Sequence, residues 1–303
     1  MSRMTVALLD ADIIAYQASS TTQLHCDWGD GLGEEASLDL DAAITTAVQL
    51  VEEWRKKARC RDVAICLSTK TKINFRKLIY PAYKANRSDK KRPLNLKPLI
   101  EALGERFKIH RIEGLEGDDM LGIMGTSDKF KGSVIVSVDK DMMTVPAFLL
   151  NPRKDIRPKR IPPILADYHW MLQTLMGDPT DNYPGCPGIG PKKAEAILEP
   201  CAMDLPAMWE AVVKAFEEKN LTEDDAITQA RLARILRRCD LHQQTNEITL
   251  WHPRKPSLLS LSSLPDLSAY TPPLTEAESP KSRTSSAAAS ASPRSSSRGR
   301  SKR

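Results

Sequence analysis

The sequence predicts an α/β fold, a parallel sheet flanked by helices and followed by a helical second part, and three observations carry that expectation. Short apolar runs at 5–9 (TVALL), 63–67 and 134–138 read as strands buried on both faces. Apolar residues at helical spacing fill the intervals between them, over 38–58 and 94–107, with a shorter helix over 120–124. Beyond Pro163 the text turns to helices throughout, at 166–176, 191–198, 205–218 and 223–238. Alternating strands and helices build parallel sheets, so the change of pattern divides the chain into an α/β domain over 1–163 and a helical one over 164–253.

The later elements have local reasons of their own. Thr222 followed by Asp225 has the spacing of a capping box for the last helix, and 247–251 (EITLW) reads as a closing strand. From Arg254 onward Ser, Pro, Ala and Arg take over, with too little apolar surface to offset the entropy of ordering, so 254–303 is expected to be a disordered basic tail.

Of 303 residues 41% are hydrophobic and 27% charged, ordinary for a globular protein with a sizeable core. The net charge of +5 is no argument for nucleic-acid binding by the folded part, because nine Lys and Arg face only three Asp and Glu after residue 253. Cys26, Cys60, Cys66, Cys186, Cys201 and Cys239 are scattered without C-x-x-C or zinc-ligand spacing, which predicts reduced thiols rather than disulfides or a metal knuckle. No signal-peptide core and no long apolar span stands in the text, so a cytoplasmic protein without membrane contact is expected.

Acidic residues recur at intervals that no core pattern requires. Asp10 and Asp12 end the first strand, Glu116, Asp118 and Asp119 open a helix, Asp139 and Asp141 end the third strand, and Asp178 and Asp181 begin a glycine-rich segment. Each alone reads equally as a helix cap. Together they read differently, because ligands of open α/β sheets collect beyond the carboxyl ends of the strands, where Asp10 and Asp139 fall. Several carboxylates in one cleft repel one another unless a cation gathers them, and two hard divalent ions are what metal-assisted phosphodiester cleavage uses. Mg²⁺ suits all-oxygen ligation, with Mn²⁺ as a substitute.

Two further segments point to nucleic acid. Phe75, Arg76, Lys77, Tyr80, Tyr83, Lys84, Asn86, Arg87, Lys90, Lys91 and Arg92 interleave aromatics with cations, offering Tyr83 for base stacking and Lys84 and Arg87 for the scissile phosphate. The bland alternative is a solvated helix face. Residues 185–194 (GCPGIGPKKA) have the form of a helix-hairpin-helix turn, in which Gly185, Gly188 and Gly190 let the backbone approach phosphates and Lys192 and Lys193 add charge.

These motifs, LLD at 8–10, FR at 75–76, YKANR at 83–87, EGDD at 116–119, SVDKD at 137–141 and the run from Gly177 to Ala194, occur in the order seen in flap endonucleases and 5′-to-3′ exonucleases. The chain resembles in particular the short bacteriophage 5′-to-3′ exonucleases, over about residues 4–253. The resemblance implies a PIN-like domain with a helical hairpin domain, two Mg²⁺ ions and a K⁺ ion at the hairpin loop. It assigns Asp10, Glu116, Asp118 and Asp119 to one metal and Asp139, Asp141, Asp178 and Asp181 to the other. Lys84 takes the role of basic catalytic residue, Arg87 that of its phosphate partner, and Arg76, Tyr83, Asn86, Gly185, Gly188, Gly190, Lys192 and Lys193 fall to DNA.

Two departures stand out. The acid that the family generally carries after the second strand is absent, for Leu67 is followed by Ser68, Thr69 and Lys70, and Asp12 matches no usual ligand. The segment between Asn86 and Leu94 is also short for an arch that threads single strands. The expected function is therefore Mg²⁺-dependent 5′-to-3′ exonuclease action on duplex DNA, or on RNA paired to DNA, leaving 5′-phosphorylated products in replication, recombination or host-DNA degradation. A flap endonuclease and a DNA-binding relative with weakened catalysis are the alternatives, while protein partners are not indicated.

Overall fold

A computed structural model of the chain describes residues 5–27, 34–69, 74–87, 92–242, 244–245 and 247–261. Lys70, Lys90, Lys91 and the tail beyond residue 261 lie outside the described residues. The chain runs β1 (Val6–Asp10), α1 (Ala11–Thr22), β2 (Gln23–Asp27), β3 (Glu34–Leu38), α2 (Leu40–Lys57), β4 (Asp62–Cys66), α3 (Phe75–Ile79), α4 (Leu96–Arg106), β5 (Ile109–His110) and α5 (Gly117–Gly125). It continues with β6 (Val134–Val136), β7 (Phe148–Leu150), β8 (Lys159–Arg160), α6 (Pro163–Met176), α7 (Pro191–Leu198), α8 (Leu205–Glu217), α9 (Glu223–Ala233), β9 (Leu241–His242), β10 (Glu247–Leu250) and β11 (Ser257–Ser260).

The main sheet has the order β5-β4-β1-β6-β7-β8, parallel except for β8. Strand periodicity decides its two cores. Ala7 and Leu9 of β1, with Ile65, Val134 and Val136, face Ile14 and Ala18 of α1, Val51 and Trp54 of α2, and Leu99 and Leu103 of α4. Leu8 points the other way, with Ala64 and Ile135, onto Met120, Leu121 and Met124 of α5 and onto Phe75. All of these are buried, and each large apolar side chain so placed contributes about 1.5–3 kcal/mol. The chain leaves β1 for β4 on one side and later takes up β6 on the other, so the cleft opens above the carboxyl ends of β1 and β6.

A third core lies among α6, α7, α8 and α9, built on Trp170, Trp209, Phe216 and Leu198. Trp251 stands edge-on to both Trp170 and Trp209, with ring centroids 4.8 Å apart in each pair. Thr222 and Asp225 form the expected capping box at the start of α9.

The sequence expectations hold for the parallel sheet and its helices but need correction toward the C-terminus. The last helix stops at Ala233 rather than running to 238. The reason is tertiary: the carbonyls of Leu232 and Arg234 accept bonds from Arg76, and the Leu236 amide donates to Asp119, which holds the chain extended. Ile235, Leu236, Leu241, Ile248 and Leu261 then pack into the core of Leu8, so the stretch from 235 belongs to the sheet's side and not to a helical domain ending at 253. Ser257–Ser260 pairs antiparallel with β10, so regular structure continues past Arg254. The hairpin β2–β3 and strands β7 and β8 were not anticipated.

Candidate active site: an acidic cleft bridged by Lys84

The cleft is assembled from strand ends and helix starts. Asp10 closes β1 and caps α1, accepting from the Ile13 amide at 3.2 Å, while the Ser137 hydroxyl beyond β6 donates to its other oxygen at 2.7 Å. The same Ser137 hydroxyl accepts the Asp139 amide at 3.0 Å, so one small side chain registers the acids of two strands. Asp139 in turn caps the 3-10 turn Lys140–Thr144 by accepting the Asp141 amide. Capping and clustering are therefore the same arrangement, and the two readings of these acids do not compete.

Burial and mutual repulsion set the charge state. Burial, then the neighbouring Asp12, pushes Asp10 up to about 7 against the hydrogen bond from Ser137. Burial, then Asp10 and Asp139, hold Asp118 well above the ordinary carboxyl range. Burial, then Asp139, push Asp141 up to about 7, with Asp178 and Asp181 adding to the effect. Asp139 thus bears on both groups, Asp10 with Asp118 on one side and Asp141 with Asp178 and Asp181 on the other. Among the described residues no three of the acids close up as a finished coordination shell.

Lysine 84 bridges the gap between them. Its ammonium pairs with Glu116 and lies 3.4 Å from Asp181, at a residue whose φ of 55° is in the left-handed region. Burial opposes the charge on Lys84, yet Glu116 and Asp181 outweigh it and raise its pKa. Glu116 is affected reciprocally: burial would raise it, but Lys84 and Arg76 hold it down at about 2. Replacing Lys84 by Met should lift the Glu116 pKa above its present value, read by carboxyl ¹³C NMR titration. An unchanged titration would show that Arg76 alone sets it. Because Glu116 is depressed, its share of stability is present above its ordinary pKa of 4.5 and is lost as pH falls toward 2.

The segment around Lys84 is fastened to the turn after α6. The Lys84 amide donates to the Asp181 carbonyl, Asn182 donates to the Ala82 carbonyl, Asn86 to the Pro179 carbonyl and Arg87 to the Thr180 carbonyl. Arg87 also pairs with the Asp181 carboxylate and keeps 41% of its side chain exposed, enough to meet an incoming phosphate. Asp178 is buried and caps its own turn through the Thr180 amide.

Four sequence expectations need correction. Asp119 is fully buried, with its oxygens taken by Arg76 at 2.7 Å each, the Leu236 amide and the Glu116 amide, so it has no lone pair to offer a metal. Arg76 is 2% exposed and spends its guanidinium on Asp119, Glu116 and two backbone carbonyls, and so cannot reach DNA. Tyr83 is 2% exposed, its hydroxyl 2.9 Å from both Glu116 and Asp181, and its ring has no face for a base. Gly185 is buried against Gly177, where an added Cβ would meet backbone at 2.2 Å, and its amide goes to Gln229. By contrast, a Cβ at Gly188 or Gly190 would meet open space, and Lys192 and Lys193 are exposed at the start of α7.

Two contributors escaped sequence reasoning. Gln173, buried inside α6, donates to the Asp141 carboxylate; the one signal was an amide in the apolar run MLQTLM. Ser68 holds Asp12 across a separation of 56 residues, which no local pattern reveals.

Residues 5–151 match the family described as 5′-3′ exonuclease, N-terminal resolvase-like domain. An exodeoxyribonuclease of Enterobacteria phage T3 is 30% identical over 289 residues, covering 82% of this chain and 93% of the phage enzyme. The chain belongs to the 5′-3′ exonuclease family. An exonuclease of Escherichia phage T7 is similarly related to this 5′-3′ exonuclease, 29% identical over 287 residues with the same coverage of both chains. The fold is that of the D15 protein of phage T5 co-crystallised with metal ions, at a TM-score of 0.56 and 18% identity over 76% of this chain and 89% of that one. A D15 flap endonuclease pseudo-enzyme-product complex with DNA and metal ions matches at 0.56 and 17%, over 76% and 88%. Among the described residues no helix of the exonuclease is long and apolar enough to cross a membrane.

Proposed function

We propose that this 5′-3′ exonuclease hydrolyses duplex DNA from a 5′ end with divalent metal ions, Mg²⁺ in the first place, and leaves 5′-phosphorylated products. The observation that carries the reading is the pair of acid groups joined at Asp139, held in one cleft with Lys84 between them. Buried carboxylates that repel strongly enough to retain protons near pH 7 are a donor set suited to hard cations. Asp10, Glu116 and Asp118 would hold one ion and Asp141, Asp178 and Asp181 a second, with Asp139 at the junction of the two groups. When bound, such ions acidify an attacking water and neutralise charge on the scissile phosphate.

The chain's own residues do the positioning. Ser137 and Gln173 fix the carboxylates they bond, Lys84 neutralises Glu116 and Asp181 beside the reacting phosphate, and Arg87 presents its exposed guanidinium to it. Gly188, Gly190, Lys192 and Lys193 grip the duplex backbone without reading bases, with K⁺ at that turn as part of the same reading. The chemistry admits RNA paired to DNA as a second substrate.

The test incubates the full chain with labelled duplex, flap, single-stranded and RNA:DNA substrates, with Mg²⁺ or with chelator. Products from the 5′ end of duplex, only with metal, are expected; preferred cutting of flaps would favour the endonuclease, and no cleavage of any substrate would sink the reading. The double change Lys192→Ala and Lys193→Ala should lower the salt slope of duplex binding by roughly 2, and an unchanged slope would remove the turn from the interface.

A further inference from the structure

Asp12 is the acid that the family pattern leaves without a role, and the structure builds a seat for it. Its Oδ2 accepts from the Ser68 amide at 2.9 Å and from the Ser68 hydroxyl at 2.6 Å, just beyond the end of β4. The Ser68 hydroxyl gives its one proton to Asp12 and accepts the Gly117 amide at 2.9 Å, while the Ser68 carbonyl accepts Arg111 at 2.7 Å. Residue 117 must be glycine for this to fit: a Cβ there would lie 2.5 Å from Asp12 Oδ2 and 3.3 Å from the Ser68 amide. That glycine stands between Glu116 and Asp118, so the Asp12 carboxylate is seated against the acidic helix start itself. Among the described residues no partner is found for Oδ1.

Where the acid after the second strand is absent, Ser68 orients one. We propose that Asp12 is a divalent-metal ligand of this chain, delivering Oδ1 from the first turn of α1 to the ion shared with Asp10 and Glu116. The lost carboxylate has been replaced from a different element, and the hydroxyl at 68 does the aiming. A carboxylate fixed by two hydrogen bonds on one oxygen presents the other without further loss of rotamer freedom. Asp12 lies close enough to raise Asp10 and to be raised by Glu116, while Arg111 acts on it in the opposite sense.

The inference rests on the metal-dependent reading above, and the experiment separates the two. Mn²⁺ is titrated calorimetrically into the full chain, into Asp12→Asn and into the double variant Asp12→Asn with Ser68→Asp, with no nucleic acid present. Asn at 12 keeps an oxygen for the Ser68 amide, so the fold should hold by near-UV circular dichroism. Asp12→Asn should weaken Mn²⁺ at one site by about tenfold or more, and the double variant, which moves the carboxylate to the position of its partner, should recover most of the loss. Unchanged Mn²⁺ affinity in Asp12→Asn would overturn the assignment. If the unsubstituted chain binds no Mn²⁺, the metal-dependent reading itself fails. Should Asp12→Asn not fold, Asp12→Ser, whose hydroxyl can still bond Ser68, carries the same measurement with the same two outcomes.

Discussion

Asp118→Asn is expected to abolish cleavage and to make the metal-free protein harder to unfold. The loss of activity should reach about 1000-fold or more, on the order of 4 kcal/mol of transition-state stabilisation, because a carboxylate expected to hold a cation becomes a neutral amide. The gain in stability follows from what Asp118 suffers without a cation: burial, Asp10 and Asp139 all disfavour its charge. Removing one of several mutually repelling buried acids relieves the others, and a gain of about 1–2 kcal/mol would raise Tm by roughly 2–6 °C in a protein of this size. The pH dependence has a definite sign. Asp10 and Asp141 titrate from 3.8 in the unfolded chain to about 7 in the fold, so the folded state keeps protons that the unfolded chain releases. Stability in chelator is then highest below pH about 4 with respect to these groups, and declines as pH rises through 7. Thermal unfolding with chelator between pH 5 and 8 checks both statements; a variant with lower Tm at neutral pH, or a wild-type profile rising with pH across that range, would contradict them.

Arg76→Met should cost about 3–5 kcal/mol of folding stability, the largest single loss expected for any side chain in the cleft. The guanidinium is buried with Asp119 in a two-bond pair of 2.7 Å each, reaches Glu116 at 3.3 Å, and ties the carbonyls of Leu232 and Arg234. Without it the Asp119 carboxylate remains fully buried beside Glu116 with no counter-charge, and two carbonyls lose their partners. The double change Arg76→Met and Asp119→Asn should recover a substantial part, since taking out both charges removes the uncompensated one. Denaturant unfolding of the four proteins of this cycle measures the coupling. If the double variant is as unstable as Arg76→Met, the stability resides in the carbonyl bonds and not in the ion pair.

The sheet and its helices were legible because their causes are local. Apolar runs at 63–67 and 134–138 gave β4 and β6, and Gly190 followed by Pro191 set the start of α7 to the residue. The acids were legible as a set but not as individuals. Asp119 looks no different from Asp118 in the text, and what separates them is Arg76, 43 residues away. Arg76 and Tyr83 read as a DNA-facing basic and aromatic pair because that pattern cannot distinguish a solvated cation from one paired inside the core. Asp12 was set aside for want of a family counterpart, and its meaning depends on Ser68 and on the missing side chain at Gly117. Strands β7 and β8 and the return of the chain at β11 are stabilised by partners far along the sequence and leave little local trace.

The bonds between residues 82–87 and 178–182 make the cleft depend on two distant parts of the chain. They join stretches more than ninety residues apart, and a contact of that kind needs a long loop to close first. A nascent chain that has been made only through β8 already carries Asp10, Glu116, Asp118, Asp139 and Asp141. It lacks Asp178 and Asp181, and nothing yet secures the backbone that aims Lys84 and Arg87. The cleft is therefore completed only by residues that follow β8 in the chain.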